Sequence, residues 1–291
     1  MYNKLFTKQW PKWVGGVLLG LLNIAFFIYL MPLGAVYPAM GTWGIWTYKL
    51  AGINIESPWG PLEPAQYDIK NLITVGLFLG ALVGALLSRE FKITKSGAGE
   101  CSKSFTGGVL MGIGSLIAGS CIVGGFFSSI MALSLSGFYM MVGLIAGGYL
   151  GGKLLLSKKQ GSPASCVSNN KSLSRTPLIG FLVIILISII IVAYSVNGKG
   201  SLAGILIFGM AFGLVFQRAS FGFSSAFRDL FISRNYEMMR GVIISLIIGV
   251  IGFSIIKASS LKPASTFVMP AGLHSIIGGM IFGFGMVLSD G

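Results

Sequence analysis

The sequence predicts an all-α, polytopic membrane protein, and three observations carry that prediction. Hydrophobic residues make up 54% of the chain and charged residues only 10%, against roughly 25% charged in a soluble domain. Mean hydropathy is +0.84. Long apolar runs recur from end to end, about eight in all, and a bilayer core takes about 20 apolar residues per helix.

The first run, 13–33, follows Lys4, Lys8 and Lys12. A secretory signal peptide also opens with basic residues, but the bulky YLMPLGAVYPAM that comes next offers no small-residue cleavage site, so the run reads as a retained helix. Residues 34–70 are turn-rich, with four prolines and three tryptophans, a composition suited to a membrane–water interface. A short helix around 40–50 fits within them. The second, third and fourth runs cover 71–88, 105–133 and 136–156. Residues 157–177, SKKQGSPASCVSNNKSLSRTP, are polar and rich in Ser and Asn, as a linker would be. The remaining runs, 178–197, 201–216, 241–257 and 271–288, include some short enough to be half-helices. The expected organisation is an N-terminal membrane half (1–156), a cytoplasmic linker (157–177) and a C-terminal membrane half (178–291).

The halves are related. GGVLMGIGSLIAGS (107–120) aligns without gaps on GGMIFGFGMVLSDG (278–291), placing Gly107, Gly108, Gly112 and Gly114 on Gly278, Gly279, Gly283 and Gly285. A shorter echo, GGVLLG, stands at 15–20. Four glycines in register point to two pseudo-repeats, an architecture common among transporters. The second copy ends at Gly291, opposite Ser120, so the C-terminal half reads as incomplete.

The net charge of +13 raises the possibility of a nucleic-acid partner, but the distribution of charge argues for membrane topology instead. Sixteen of the 21 basic residues fall in four clusters: Lys4, Lys8 and Lys12; Arg89, Lys92, Lys95 and Lys103; Lys153, Lys158, Lys159, Lys171 and Arg175; and Arg218, Arg228, Arg234 and Arg240. The positive-inside rule places all four in the cytoplasm, together with the N-terminus, in a multi-pass protein of the cell inner membrane. The lipid bilayer then accounts for the charge, and no nucleic-acid partner is implied.

The candidate site lies within the third run, in AGSCIVGGFF (118–127). Non-helical backbone is tolerated at membrane depth only where it is buried in protein or lines a cavity. One half-helix entering, a turn at Gly119–Cys121 and a second half-helix leaving would present unpaired N–H groups to a small anion. Gly119, Gly124 and Gly125 would let it approach the backbone. Ser120 and the soft thiol of Cys121 would face it. That chemistry suits an anion containing sulfur or selenium. In the alternative reading the glycines only pack helices and Cys121 is an inert core residue. The other cysteines, Cys101 and Cys166, read as incidental loop thiols.

A second segment, FQRASFGFSSAFRDLFISRN (216–235), mixes phenylalanines with Arg218, Arg228 and Arg234. Two readings stay open: a re-entrant hairpin whose arginines meet an anion, or an interfacial helix with snorkelling arginines. The single histidine, His274, cannot form a metal cage. No phosphate-binding loop or Ser–His–Asp set is present, and carboxylates are nearly absent from the apolar runs. The chain is therefore expected to be no enzyme and to need no metal or cofactor. The runner-up functions are a membrane-embedded thiol or sulfurtransferase in which Cys121 carries persulfide, and a non-transporting membrane subunit completed by a separate chain.

Three stretches, 107–154, 217–231 and 278–291, together resemble the YeeE/YedE family of bacterial sulfur-compound transporters, which includes thiosulfate uptake proteins and selenium-linked relatives. The resemblance implies an hourglass-shaped fold of pseudo-symmetric halves with re-entrant half-helices, passing thiosulfate along pore cysteines through transient S–H···S hydrogen bonds. It assigns Cys121 as a pore cysteine. Gly222 stands where the family's second motif has cysteine, and the third motif's cysteine would follow Gly291. The resemblance thus implies one of three thiols here. It leaves three explanations open: a split or frameshifted gene completed by a separate C-terminal fragment, a stop at a selenocysteine codon, or a divergent relative with another substrate. The expected partners are a small sulfur- or selenium-containing anion, such a fragment, or a sulfur-carrier protein.

Overall fold

The computed structural model describes residues 9–30, 32, 36–53, 64–88, 97–158, 176–231, 235–263 and 265–290. Most of the 157–177 linker, including Cys166, lies outside them. So do Lys4, Lys8, Arg89, Lys92, Lys95, Lys159, Lys171, Arg175, Arg234 and Gly291. The described residues form helices and no strand: α1 Lys12–Tyr29, α2 Val36–Leu50, α3 Ile69–Leu87, α4 Ala98–Ala118, α5 Ile122–Met131, α6 Leu135–Lys158, α7 Thr176–Val196, α8 Gly200–Arg218, α9 Phe223–Phe231, α10 Glu237–Ala258 and α11 Leu273–Asp290. The first seven residues of α5 are π-helical.

Among the described residues, five helices are long and apolar enough to cross a membrane. The bent pair Gly99–Ala118 and Ile122–Met131 makes a sixth, and Gly180–Val196 and Leu273–Ser289 are shorter apolar helices. These correspond one for one to the apolar runs of the sequence. The short helix expected near 40–50 is α2.

Local chemistry sets several of the boundaries. Pro11 precedes α1, and its carbonyl accepts from Val14 and Gly15. Proline suits the start of a helix because its missing N–H would have no partner there. Asp68 caps α3, its carboxylate accepting from the Lys70 amide at 3.0 Å, which satisfies a donor the first turn leaves open. Gly119 ends α4 in the left-handed region, at φ 71°, where a residue without a β-carbon is unstrained.

The helices gather into two compact units that alternate along the chain. The first holds α2, α3, α7 and α8. Here α3 and α8 run parallel at close range: a β-carbon on Gly76 would lie 3.1 Å from the Gly209 Cα, and one on Gly213 would strike the Leu77 carbonyl. Without a hydrophobic drive between helices in lipid, such small-residue contacts let dispersion forces hold them. Thr42 reaches Asn71 across α2 and α3 at 3.3 Å, and the Lys199 ammonium sits 3.3 Å from the centre of the Tyr67 ring.

The second unit holds α1, α4, α5, α6, α9, α10 and α11. Its centre is α11, packed between α4 and α6. Against α4 it runs antiparallel, and the contacts are reciprocal. A β-carbon on Gly107 would meet Gly285 and Ser289 at 2.6 and 2.7 Å, and one on Gly278 would meet Gly114 and Ala118. In the sequence alignment Gly107 corresponds to Gly278, Gly114 to Gly285 and Ala118 to Ser289. Exchanging the two copies therefore reproduces the contact, as a two-fold axis between them requires.

Candidate functional site

The break that follows α4 is a short, ordered backbone device. After Gly119, Ser120 is buried and Cys121 is extended, with φ −84° and ψ 174°. Cys121 occupies the cap position of α5, and its carbonyl accepts from the Gly125 amide at 2.7 Å. The chain turns by 52° across the break. The first amides of α5 have no acceptor within the helix, which leaves donors and positive partial charge beside the thiol. Cys121 is 9% exposed.

Packing explains the residues around the break. A β-carbon on Gly125 would collide with the Met140 sulfur and lie 3.1 Å from the Ser120 β-carbon. Glycine there lets α5 lie against α6. The Gly124 carbonyl accepts from the Ser129 hydroxyl at 2.8 Å as well as from the Ser129 amide. That amide bond spans five residues, the wide π-helical turn often found at functional positions. Gly124 and Gly125 are both buried.

The second motif comes to the same place through its aromatic rings. Phe126 stands edge-on to Phe223 and Phe227, with centroids 6.5 and 5.6 Å apart, and Phe127 meets Phe223 at 5.1 Å. Edge-to-face pairs of this kind hold two backbones in a defined orientation. Gly222 starts α9 directly beside this cluster, and its carbonyl accepts from the Ser225 hydroxyl and the Ala226 amide. A β-carbon at Gly222 would lie 2.7 Å from the Ser225 hydroxyl. The Ser224 hydroxyl donates to the Met286 carbonyl at 3.2 Å, tying α9 to α11.

Gly119, Ser120, Cys121, Gly124 and Gly125 thus lie on one continuous stretch, and the ring pairs tie the residues just after it to α9, which Gly222 precedes. The arginines are placed differently. Arg228, on α9, pairs with its neighbour Asp229 at 3.1 Å, both side chains partly buried. Arg218 is buried at the last residue of α8, in the first unit, where a cation meets the carbonyl end of its helix. Cys101 is exposed on α4, and His274 is exposed at the start of α11. Among the described residues no group of three or more His, Cys, Asp or Glu could hold a metal ion.

One residue that the motifs did not single out adjoins the site. Asn23, fully buried on α1, donates to the Ser128 hydroxyl at 3.4 Å and to the Met131 sulfur at 3.1 Å. It thereby anchors α5. An amide in the middle of an apolar run is itself a signal, because polar groups at membrane depth are costly and tend to have work to do.

Comparison with known proteins decides the family. The sequence profile described as "Sulphur transport" matches residues 1–150 and 218–291. The chain belongs to this sulphur transport family. It is similar to the "Probable transporter YedE" of Salmonella typhimurium, 27% identical over 98% of this chain and 74% of the relative. It also resembles the protein of the same name from Escherichia coli, at 26% identity with the same coverage. A "Thiosulfate transporter TsuA" from Escherichia coli is 29% identical over 49% of this chain and 39% of its own length. No solved structure matches. Family membership and the apolar helices identify a multi-pass membrane protein of sulfur-compound transport rather than an enzyme.

Proposed function

We propose that this chain passes a small sulfur-containing anion such as thiosulfate, or a selenium analogue, across the cell inner membrane, with its N-terminus in the cytoplasm. The contact point is the Gly119–Cys121 break. The Cys121 thiol and the free amides at the start of α5 receive the anion, and Gly222 opens the facing turn. Arg228, in the same unit as Cys121, supplies positive charge along the route. The two halves, 1–156 and 178–291, act as pseudo-repeats joined by the linker. The observation that carries this reading is a buried thiol at a helix cap, on broken backbone, in a protein whose family transports sulfur compounds.

A thiol suits such a cargo because a sulfane sulfur is soft and weakly hydrated, and S–H is a weak donor. It can hold thiosulfate briefly without trapping it. Backbone amides carry the anionic end at no cost in buried charge.

The experiment is uptake of labelled thiosulfate by cells lacking their own importers and expressing this chain. Uptake above the empty control, lost in Cys121→Ala with unchanged insertion, supports the reading. Absence of uptake for thiosulfate, sulfite and selenium compounds alike contradicts it. A supplied C-terminal fragment or sulfur-carrier protein that raises uptake would identify a partner.

A further inference from the structure

The two-fold relation between α4 and α11 fails at one hydroxyl. Ser104 on α4 and Ser275 on α11 are counterparts, each three residues before the first aligned glycine, Gly107 or Gly278. The Ser104 hydroxyl donates to the Ser289 carbonyl at 3.2 Å. Ser289 is the counterpart of Ala118, so the matching bond would run from Ser275 to the Ala118 carbonyl. It is not made. Ala118 is the last residue of α4 before the left-handed Gly119, where the helix that would supply the acceptor ends. Ser275 is 2% exposed, and its hydroxyl oxygen is buried with no hydrogen-bond partner among the described residues. An unpaired buried hydroxyl costs about 1–3 kcal/mol, and such a group calls for a ligand to complete it.

The neighbours of Ser275 show what it faces. Gly278, three residues on, packs against the Ala118 amide, and Gly279, four on, packs against Met140. Met140 in turn lies against Gly125 of α5, beside Ser120. Residues three and four apart share a helix face, so Ser275 stands on the face of α11 turned toward the end of α4 and the start of α5. Because α11 runs antiparallel to α4, its first turn lies at the level of the Gly119–Cys121 break. The N-termini of α5 and α11 therefore open at the same depth within one unit. The Ser275 amide donates to the Gly272 carbonyl; the amides around it in the first turn have no acceptor within α11.

We propose that Ser275 is a second ligand of the transported anion, donating its hydroxyl to an oxygen of the sulfur oxyanion whose sulfur meets Cys121. This deepens the transport reading and rests on it. A hydroxyl bonded to a charged oxygen makes a stronger bond than one bonded to a carbonyl. The first turn of α11 adds positive partial charge without a buried cation. Thiosulfate offers both ends: a sulfane sulfur for the thiol, and sulfonate oxygens for Ser275 and the helix amides. Ser275 thus selects for an oxyanion, where a thiol alone would accept any soft sulfur.

The test is equilibrium binding of sulfur-labelled thiosulfate to the purified 291-residue chain in detergent, with melting temperatures measured in the absence of ligand. Ser275→Ala is expected to raise the dissociation constant about tenfold or more, as the loss of one hydrogen bond to a charged group implies. Its melting temperature should stay level or rise, because no bond within the protein is lost. Ser104→Ala, whose hydroxyl is already paired, should leave the affinity unchanged. Unchanged affinity in Ser275→Ala, an equal loss in Ser104→Ala, or a lowered melting temperature in Ser275→Ala would each overturn the proposal. If Cys121→Ala loses affinity in the same assay while Ser275→Ala does not, the Cys121 reading stands and Ser275 alone fails. A parent chain that binds no thiosulfate overturns both.

Discussion

Gly114 and Gly278 face each other across the antiparallel α4–α11 contact, a β-carbon on either lying within 2.8 Å of the other's carbonyl oxygen. Each is the other's neighbour and, through Gly107 and Gly285, part of the other's repeat. The pair lies where two copies of one motif meet, and the backbones approach too closely for any side chain to intervene.

Substituting either of these glycines therefore forces the helices apart. Gly114→Leu and Gly278→Leu should each destabilise the protein by at least about 1–3 kcal/mol, the usual cost of overpacking a close contact. Gly108→Ala, on the open face of the same helix, should be neutral or stabilise by roughly 0.5–1 kcal/mol through helix propensity. Melting temperatures in detergent, compared across these variants, check the contrast. Equal sensitivity at 108 and 114 would contradict the packing.

Gly119 is needed for its backbone angle rather than for space. Nothing lies within 4 Å of a β-carbon placed there, yet φ is 71°. Gly119→Ala should cost about 1–2 kcal/mol, the penalty for a left-handed L-residue, and Gly119→Asn should cost less. The ordering of the two melting temperatures is the test.

Asn23 fastens α5 to α1. Asn23→Ala removes the bonds to Ser128 and Met131 and opens a void beside them, and should cost about 1–3 kcal/mol. Asn23→Gln, which keeps the amide but displaces it, should be intermediate. A stability unchanged in Asn23→Ala would show that the anchor is not needed.

Much of this was legible in the sequence because membranes write simply. Each apolar run became one helix or one bent pair, since backbone in lipid must bond to itself. The break was legible because Gly119 and the glycines after Cys121 interrupt an apolar run for no other evident reason. The register of Gly107, Gly108, Gly112 and Gly114 on their later copies carried the two-fold contact. The meeting of Phe126 and Phe127 with Phe223 and Phe227 was not legible, because ring pairs between residues about a hundred positions apart leave no local pattern. Nor was the π-helical start of α5, which differs from an α-turn by one residue and has no composition of its own. The alternation of the two units along the chain depends on which glycine faces meet, and spacing within a single helix does not specify that.

Gly222 offers a gain-of-function test. The closest atom to a β-carbon there is the Ser225 hydroxyl, at 2.7 Å, which can rotate aside at the loss of its bond to the Gly222 carbonyl, so Gly222→Cys should fold at a cost of about 1 kcal/mol. If the route runs past this turn, the added thiol should raise thiosulfate uptake over the parent chain. Lowered uptake at normal expression would contradict that path.

The central claim is that the Cys121 thiol meets the transported anion. Uptake of sulfur-labelled thiosulfate by Cys121→Ala, measured against the parent chain at matched membrane levels in cells lacking other importers, tests it most directly. The account predicts a fall of about tenfold or more, the equivalent of at least about 1.4 kcal/mol in the barrier. Uptake equal to that of the parent chain would contradict it.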